Sequence, residues 1–167
     1  MKGSRLIRLA DIPPQPWKNG GGITYEIAAD PPSNPETKAA FAGFRWRISR
    51  ALIERDGPFS VFPGMTRWIL LLDGEGFTLS FSDRAKLHVI RRHHPEQFPG
   101  AALAQCRLQA GPCSVLNVIA REDIALRVNV VTSHAPLPSL GHALISDHGV
   151  GIRLDERHVL NVALPLD

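Results

Sequence analysis

A chain of 167 residues, 44% hydrophobic and 21% charged, can bury about two-thirds of its unfolded surface and is unlike a disordered or fibrous protein. Its formal charge of +3 gathers mostly at Arg84-Ala85-Lys86 and Arg91-Arg92-His93-His94; this reads as a solvated loop, without the dense basic face of a nucleic-acid binder. No run approaches the ~20 apolar residues of a membrane span, the start lacks the apolar core of a signal peptide, and Cys106 and Cys113 fit free thiols in a reducing, cytoplasmic compartment.

The 14 glycines and 14 prolines set turns at short intervals and leave little room for long helices. Between them, period-two alternation predicts strands. In Ile23-Thr24-Tyr25-Glu26-Ile27 the bulky apolar residues take odd positions, while Thr24 and Glu26 face the other way. Asp30 to Thr37 is Pro-rich and polar, a surface loop, and Glu36 to Ala42 is the best short-helix candidate. In Phe44 to Ser49 the residues Phe44, Trp46 and Ile48 share one face, and Arg45, Arg47 and Ser49 the other. Thr66 to Leu72 suits a buried strand; Asp73-Gly74-Glu75-Gly76 turns the chain before Phe77, Leu79 and Phe81 alternate again. A loop at His93-His94-Pro95, strands at Ser114 to Ile119, Ala125 to Val131 and Val159 to Leu164, and a loop or linker at Ser133 to Leu140 complete the pattern. Many short strands at this spacing predict an all-β sandwich or barrel.

Three features carry candidate chemistry. Consecutive glycines cost conformational entropy, so Gly20, Gly21 and Gly22 after Trp17-Lys18-Asn19 read either as an anion-cradling loop or as a turn leading into a strand. It is not a phosphate-binding P-loop, because Lys18 precedes the glycines. Thr24, Glu26, Arg47 and Ser49 form a polar face that would line a small barrel, or would be the wet side of a two-layer sheet. Asp56 to Gly64 is a stiff loop whose Phe59 and Phe62 wall a site or anchor the loop, and Ser60 lies outside any nucleophile elbow. Arg67 just beyond it could grip a carboxylate or sit at an exposed strand end. The seven histidines form no HxH or HExxH pattern, and no CxxC is present, so no metal site is expected.

Five strings come in order: P-x-P-W-K-N-G-G-G-x-T-x-E-I-A from Pro14 to Ala28, W-R-I-S-x-A from Trp46 to Ala51, and D-G-P-F-S-x-F-P-G-x-x-R from Asp56 to Arg67, then L-L-x-G-x-G-x-x-L from Leu71 to Leu79 and G-P-x-x-x-x-N-V from Gly111 to Val118. Over about the first 120 residues the chain closely resembles the HutD/Ves family of bacterial cupin-like proteins. The resemblance implies an RmlC-like, cupin-type (double-stranded β-helix) bicupin, with an N-terminal lobe over roughly 1–105 and a C-terminal lobe over roughly 106–167. Little chain follows Val131, so the second lobe is expected to be shortened or divergent. The resemblance also implies association with histidine utilisation, a regulatory role, and a small carboxylate ligand such as urocanate, formylglutamate or formate. It brings no established catalytic activity. Carried over by motif position, the binding residues are Trp17, Lys18, Asn19, Thr24, Glu26, Arg47, Ser60 and Arg67. Cupins that hold a metal use an HxH with a later Glu and His; Pro63 to Leu79 has no histidine, which points away from a metal or other cofactor.

The expected ligand site therefore groups Lys18, Arg47 and Arg67 as cations, with Asn19 and the Gly20–Gly22 amides as donors, Glu26 orienting one cation, and Trp17 and Phe59 excluding water. Ser49 and Ser60 complete it. The alternatives are a metal-free enzyme with Glu26 as general acid or base, and a protein-interaction scaffold. Exposed sheet edges leave pairing into a homodimer open.

Overall fold

A computed structural model describes residues 12–31 and 43–124, and beyond them the backbone of four strands. The short-helix candidate at Glu36 to Ala42, most of the Asp30 to Thr37 loop and the Ser133 to Leu140 segment lie outside the described residues.

In chain order the first unit, Pro14–Asp123, carries β1 (Gln15–Pro16), β2 (Gly22–Asp30), β3 (Trp46–Ile53), β4 (Gly57–Pro58) and β5 (Met65–Asp73). It continues with β6 (Phe77–Phe81), β7 (Leu87–Val89), β8 (Glu96–Pro99), β9 (Ala104–Leu108) and β10 (Cys113–Arg121). One antiparallel sheet has the order β1-β2-β3-β10-β5-β8, and a second β4-β9-β6-β7. The residues that drive this are the alternating apolar side chains, which meet across the two sheets. Ala51, Ile53, Ile69, Leu71 and Val115 from the larger sheet share one core with Phe77, Leu79, Val89, Ala104 and Cys106 from the smaller. The chain is all-β and cupin-type, as its motifs implied.

The central strands β3, β10 and β5 are buried on both faces: Ile48, Leu70, Leu116 and Val118 are as covered as Ala51, Ile69 and Val115. Near-continuous apolar runs in Thr66 to Leu72 and Ser114 to Ile119 are the sequence form of that burial. Cys106 and Cys113 are free, buried thiols in the shared core, and burial pushes them up to about 12 and about 11.

The second unit carries β11 (Arg127–Thr132), β12 (His142–Ile145), β13 (Gly151–Leu154) and β14 (Val159–Leu164), in the order β11-β14-β13-β12. β11 and β14 run parallel, while the other pairs are antiparallel. The division between units falls at Asp123/Ile124. The reason is β10, which pairs with both β3 and β5 and so forms the middle of the N-terminal sheet.

Candidate functional site

The glycine triplet builds a turn between β1 and β2. Gly20 donates to the Trp17 carbonyl (3.0 Å) with φ of 68°, a left-handed conformation in which glycine bears no steric cost. Gly21 donates to Asn19 Oδ1 (2.9 Å), and its carbonyl accepts from Glu54 (2.9 Å) and Arg55 (3.2 Å), which ties the turn to the end of β3. A Cβ on Gly22 would collide with the Leu52 carbonyl oxygen and meet the Trp17 indole at 3.2 Å. The glycines thus let Trp17 fold back over β2. There its Nε1 donates to Thr24 Oγ1 (2.8 Å) and its ring meets Phe59 edge-on, centroids 6.1 Å apart. The Gly20 and Gly21 amides, expected as ligand donors, already have acceptors inside the turn. Lys18 and Asn19 are exposed on it.

The inner face of the large sheet changes character along its strands. Register places Thr24, Ala51, Val115 and Leu71 in one row across β2, β3, β10 and β5. The next row is Glu26, Ser49, Asn117 and Ile69. The row after it holds Arg47, Ile119, Arg67 and, on β8, Phe98. An apolar floor gives way to a polar end within two residue steps. Ser49 is 4% exposed, so the Arg47/Ser49 face is no wet sheet surface; it is barrel interior.

Two arginines occupy that end under different conditions. Arg47, 4% exposed, donates through Nε to Glu26 Oε2 (2.9 Å) and through Nη2 to Gln15 Oε1 (3.1 Å). Desolvation lowers its pKa and the Glu26 carboxylate opposes that shift. The Glu26 carboxylate thus fixes the Arg47 guanidinium in place. Arg67 is 5% exposed and not at an open strand end. Its Nη1 donates to the Ser60 carbonyl (3.0 Å), its Nη2 to Asn117 Oδ1 (3.3 Å), and its buried Nε has no partner. The rings of Phe59, Phe62 and Phe98 surround the guanidinium at 5.3, 5.2 and 4.9 Å. Among the described residues no carboxylate pairs with Arg67. Desolvation, then repulsion from Arg47, pushes its pKa down to about 10, so it is still a cation at neutral pH. Cation–π contacts offset part of the desolvation cost, at roughly 0.5–2 kcal/mol each, but they leave the charge uncancelled.

Of the expected residues, Glu26, Arg47, Ser49, Phe59 and Arg67 meet at this end, and Ser60 joins through its carbonyl; Thr24 lies in the apolar row and Trp17 reaches this end only through the Phe59 ring. Lys18 makes no ion pair or hydrogen bond to either arginine among the described residues. Gln15, Asn117 and Phe98 were not expected as site residues, and Phe62 was read either as a wall of the site or as an anchor of its loop. Asn117 had a signal: it is the one amide inside the apolar run Ser114 to Ile119, in phase with Val115 and Ile119. Phe98 had none, since β8 follows the His94-Pro95 loop without alternation. No group of three or more His, Cys, Asp or Glu among the described residues is placed to hold a metal ion.

Fold and site together define a class: a cupin-type barrel whose polar end buries an arginine that no carboxylate pairs among the described residues. The sequence profile of HutD matches residues 9–154, and the chain belongs to the HutD family. It is 37% identical over 113 residues to Protein Ves of Citrobacter koseri, covering 67% of this chain and 55% of that protein. It is 36% identical over 119 residues to an uncharacterized 21.2 kDa protein in the hutC 3′ region of Pseudomonas putida, covering 71% and 59%. Among solved structures, HutD from Pseudomonas fluorescens SBW25 in a formate condition superposes with a TM-score of 0.60 at 34% identity, over 70% of this chain and 59% of that one. A conserved protein of unknown function from Pseudomonas aeruginosa PAO1 gives 0.62 at 35% identity, over 70% and 57%. The chain thus spans between 55% and 59% of the length of these relatives.

Proposed function

We propose that this protein binds a small carboxylate metabolite at the polar end of its barrel, without a metal, and that binding serves a regulatory role in histidine or other amino-acid utilisation in the cytoplasm. One observation carries the reading: among the described residues, Arg67 is a buried cation with no carboxylate beside it and an unpartnered Nε. Leaving a buried charge unpaired costs several kcal/mol, a cost that an anionic ligand would repay. Asn117 and Ser49 supply neutral polar atoms beside it, and the Trp17–Phe59 contact shields that end from water. The link to histidine utilisation rests on family membership and on the Pseudomonas putida relative of the hutC region. Glu26 is engaged by Arg47, which favours an orienting role over that of a free general base.

The test is isothermal calorimetry of the full chain with formate, urocanate and formylglutamate, on wild type and on Arg67→Met. The reading expects saturable binding of at least one acid by wild type and its loss in the variant. Binding that survives Arg67→Met unchanged would sink the site.

A further inference from the structure

The Asn117 carboxamide is held in one orientation. An arginine N–H can only donate, so the Asn117 atom facing Arg67 Nη2 at 3.3 Å is its oxygen, and the amide NH2 is turned away from that nitrogen. Asn117 is 8% exposed, inside the apolar run of β10, and no acceptor among the described residues takes its Nδ2 hydrogens. Buried donors are ordinarily paired. Two donors here are not: the charged Nε–H of Arg67 and the neutral NH2 of Asn117. Ser49, directly across from Asn117 on β3 and 4% exposed, adds a hydroxyl to the same row.

The span between the two donors fits one ligand group. The 3.3 Å contact, with heavy-atom separations of about 2.3 Å across the amide and across the guanidinium, keeps Nε and Nδ2 within about 8 Å of each other. A carboxylate, with oxygens about 2.2 Å apart and hydrogen bonds of about 2.9 Å, bridges donors up to about that distance. We infer that Asn117 is a second ligand-binding residue: one carboxylate is held through both oxygens, one on Arg67 Nε and the other on Asn117 Nδ2. This rests on the anion-binding reading above and deepens it. The pair of donors favours an ionised carboxylate over the amide of the same shape, whose own NH2 would meet a donor. Aspartate at position 117 would have the same outline, yet it would cancel the Arg67 charge and replace the donor by an acceptor. Asparagine keeps both for the ligand.

The experiment follows the Asn117 side-chain NH2 by nuclear magnetic resonance of the full chain at pH 7.5, with formate as the probe. Its signals are assigned by their absence in Asn117→Asp. One of the two protons is expected to move downfield saturably, with the same midpoint as the Arg67 Nε–H, and to exchange more slowly with water. By calorimetry, Asn117→Asp is expected to bind formate roughly a hundredfold or more weakly than wild type, the scale of one unit charge about 4 Å away in a partly shielded interior. Should that variant fail to fold, Asn117→Ser makes the assignment and the wild-type titration decides alone. A saturable shift of the Arg67 signal with both Asn117 protons unmoved overturns the second contact and leaves the anion site in place. Formate affinity unchanged in a folded Asn117→Asp also overturns the second contact. No saturable shift of either signal overturns the anion site and the second contact with it.

Discussion

Replacing Arg67 with methionine separates a ligand-binding arginine from a structural one. Burial, then repulsion from Arg47, holds its pKa down at about 10, which costs the folded cation about 3 kcal/mol at about 1.36 kcal/mol per pKa unit. Methionine removes that cost and keeps an apolar chain among Phe59, Phe62 and Phe98. Against it stand the lost cation–π attraction to three rings, about 1.5–6 kcal/mol together, and two acceptors that lose this donor, Asn117 Oδ1 and the Ser60 carbonyl, about 1–3 kcal/mol each. The losses exceed the relief, so the ligand-free variant is expected to be less stable than wild type by a few kcal/mol. Wild type at a hundred times the Kd of a bound carboxylate gains about 2.7 kcal/mol, and Arg67→Met should gain nothing. Urea unfolding at pH 7.5, with and without the carboxylate, reads both quantities. If Arg67→Met gains as much from the carboxylate as wild type does, the arginine is a strut and the reasoning fails.

Other outcomes follow from the same geometry. Gly22→Ala should destabilise by about 3 kcal/mol, since its Cβ meets the Leu52 carbonyl and Trp17; Gly20→Ala, whose Cβ has open space, should lose only about 1 kcal/mol for its left-handed backbone. A reversed order in urea unfolding would refute this account of the turn. Arg67 has a folded pKa below its unfolded one, so its burial cost is fully present below about pH 10 and is relieved as pH rises above that towards the unfolded value. Carboxylate affinity should accordingly be level between about pH 7 and 9 and fall above about 10, and a collapse already near pH 8 would show that another group carries the binding. Cys106 and Cys113, pushed up to about 12 and about 11, should stay silent to a thiol reagent at pH 8 in the native protein and react once unfolded. Fast native labelling would contradict their place in the core.

Much of the large sheet could be read from periodicity. The alternation in Ile23 to Ile27 and in Trp46 to Ser49, and the apolar runs at Thr66 to Leu72 and Ser114 to Ile119, became β2, β3, β5 and β10. Their extents came out longer, because pairing with neighbours continues past the residues that alternate. The short strands β4 and β8 were invisible, since two to four residues next to Gly or Pro carry no period of their own, whereas β9 does alternate Ala104, Cys106 and Leu108 with Gln105 and Arg107 and was not among the expected strands. The motifs contain Glu26, Arg47, Ser49, Phe59 and Arg67, which meet at the polar end, but say nothing of their environment. Period two shows that Arg47 and Ser49 share a face; whether that face meets water or a second sheet depends on partners far along the chain. Arg67 is the sharpest case. Its burial needs Phe59 and Phe62 from one loop and Phe98 from β8, and no local pattern brings these together. The glycine triplet was the reverse case: conspicuous in sequence, it serves chiefly to seat Trp17 against Thr24 and Phe59.

The central claim, that Arg67 Nε awaits an anion, is open to direct observation by nuclear magnetic resonance. A buried Nε–H exchanges slowly with water and gives a resolved signal at neutral pH, assignable by its absence in Arg67→Met. Titration of the full chain with formate should shift that signal saturably, as a charge-assisted hydrogen bond forms, while the Arg47 Nε–H, already bonded to Glu26, moves little. An Arg67 signal that stays fixed while resonances elsewhere saturate would contradict the account.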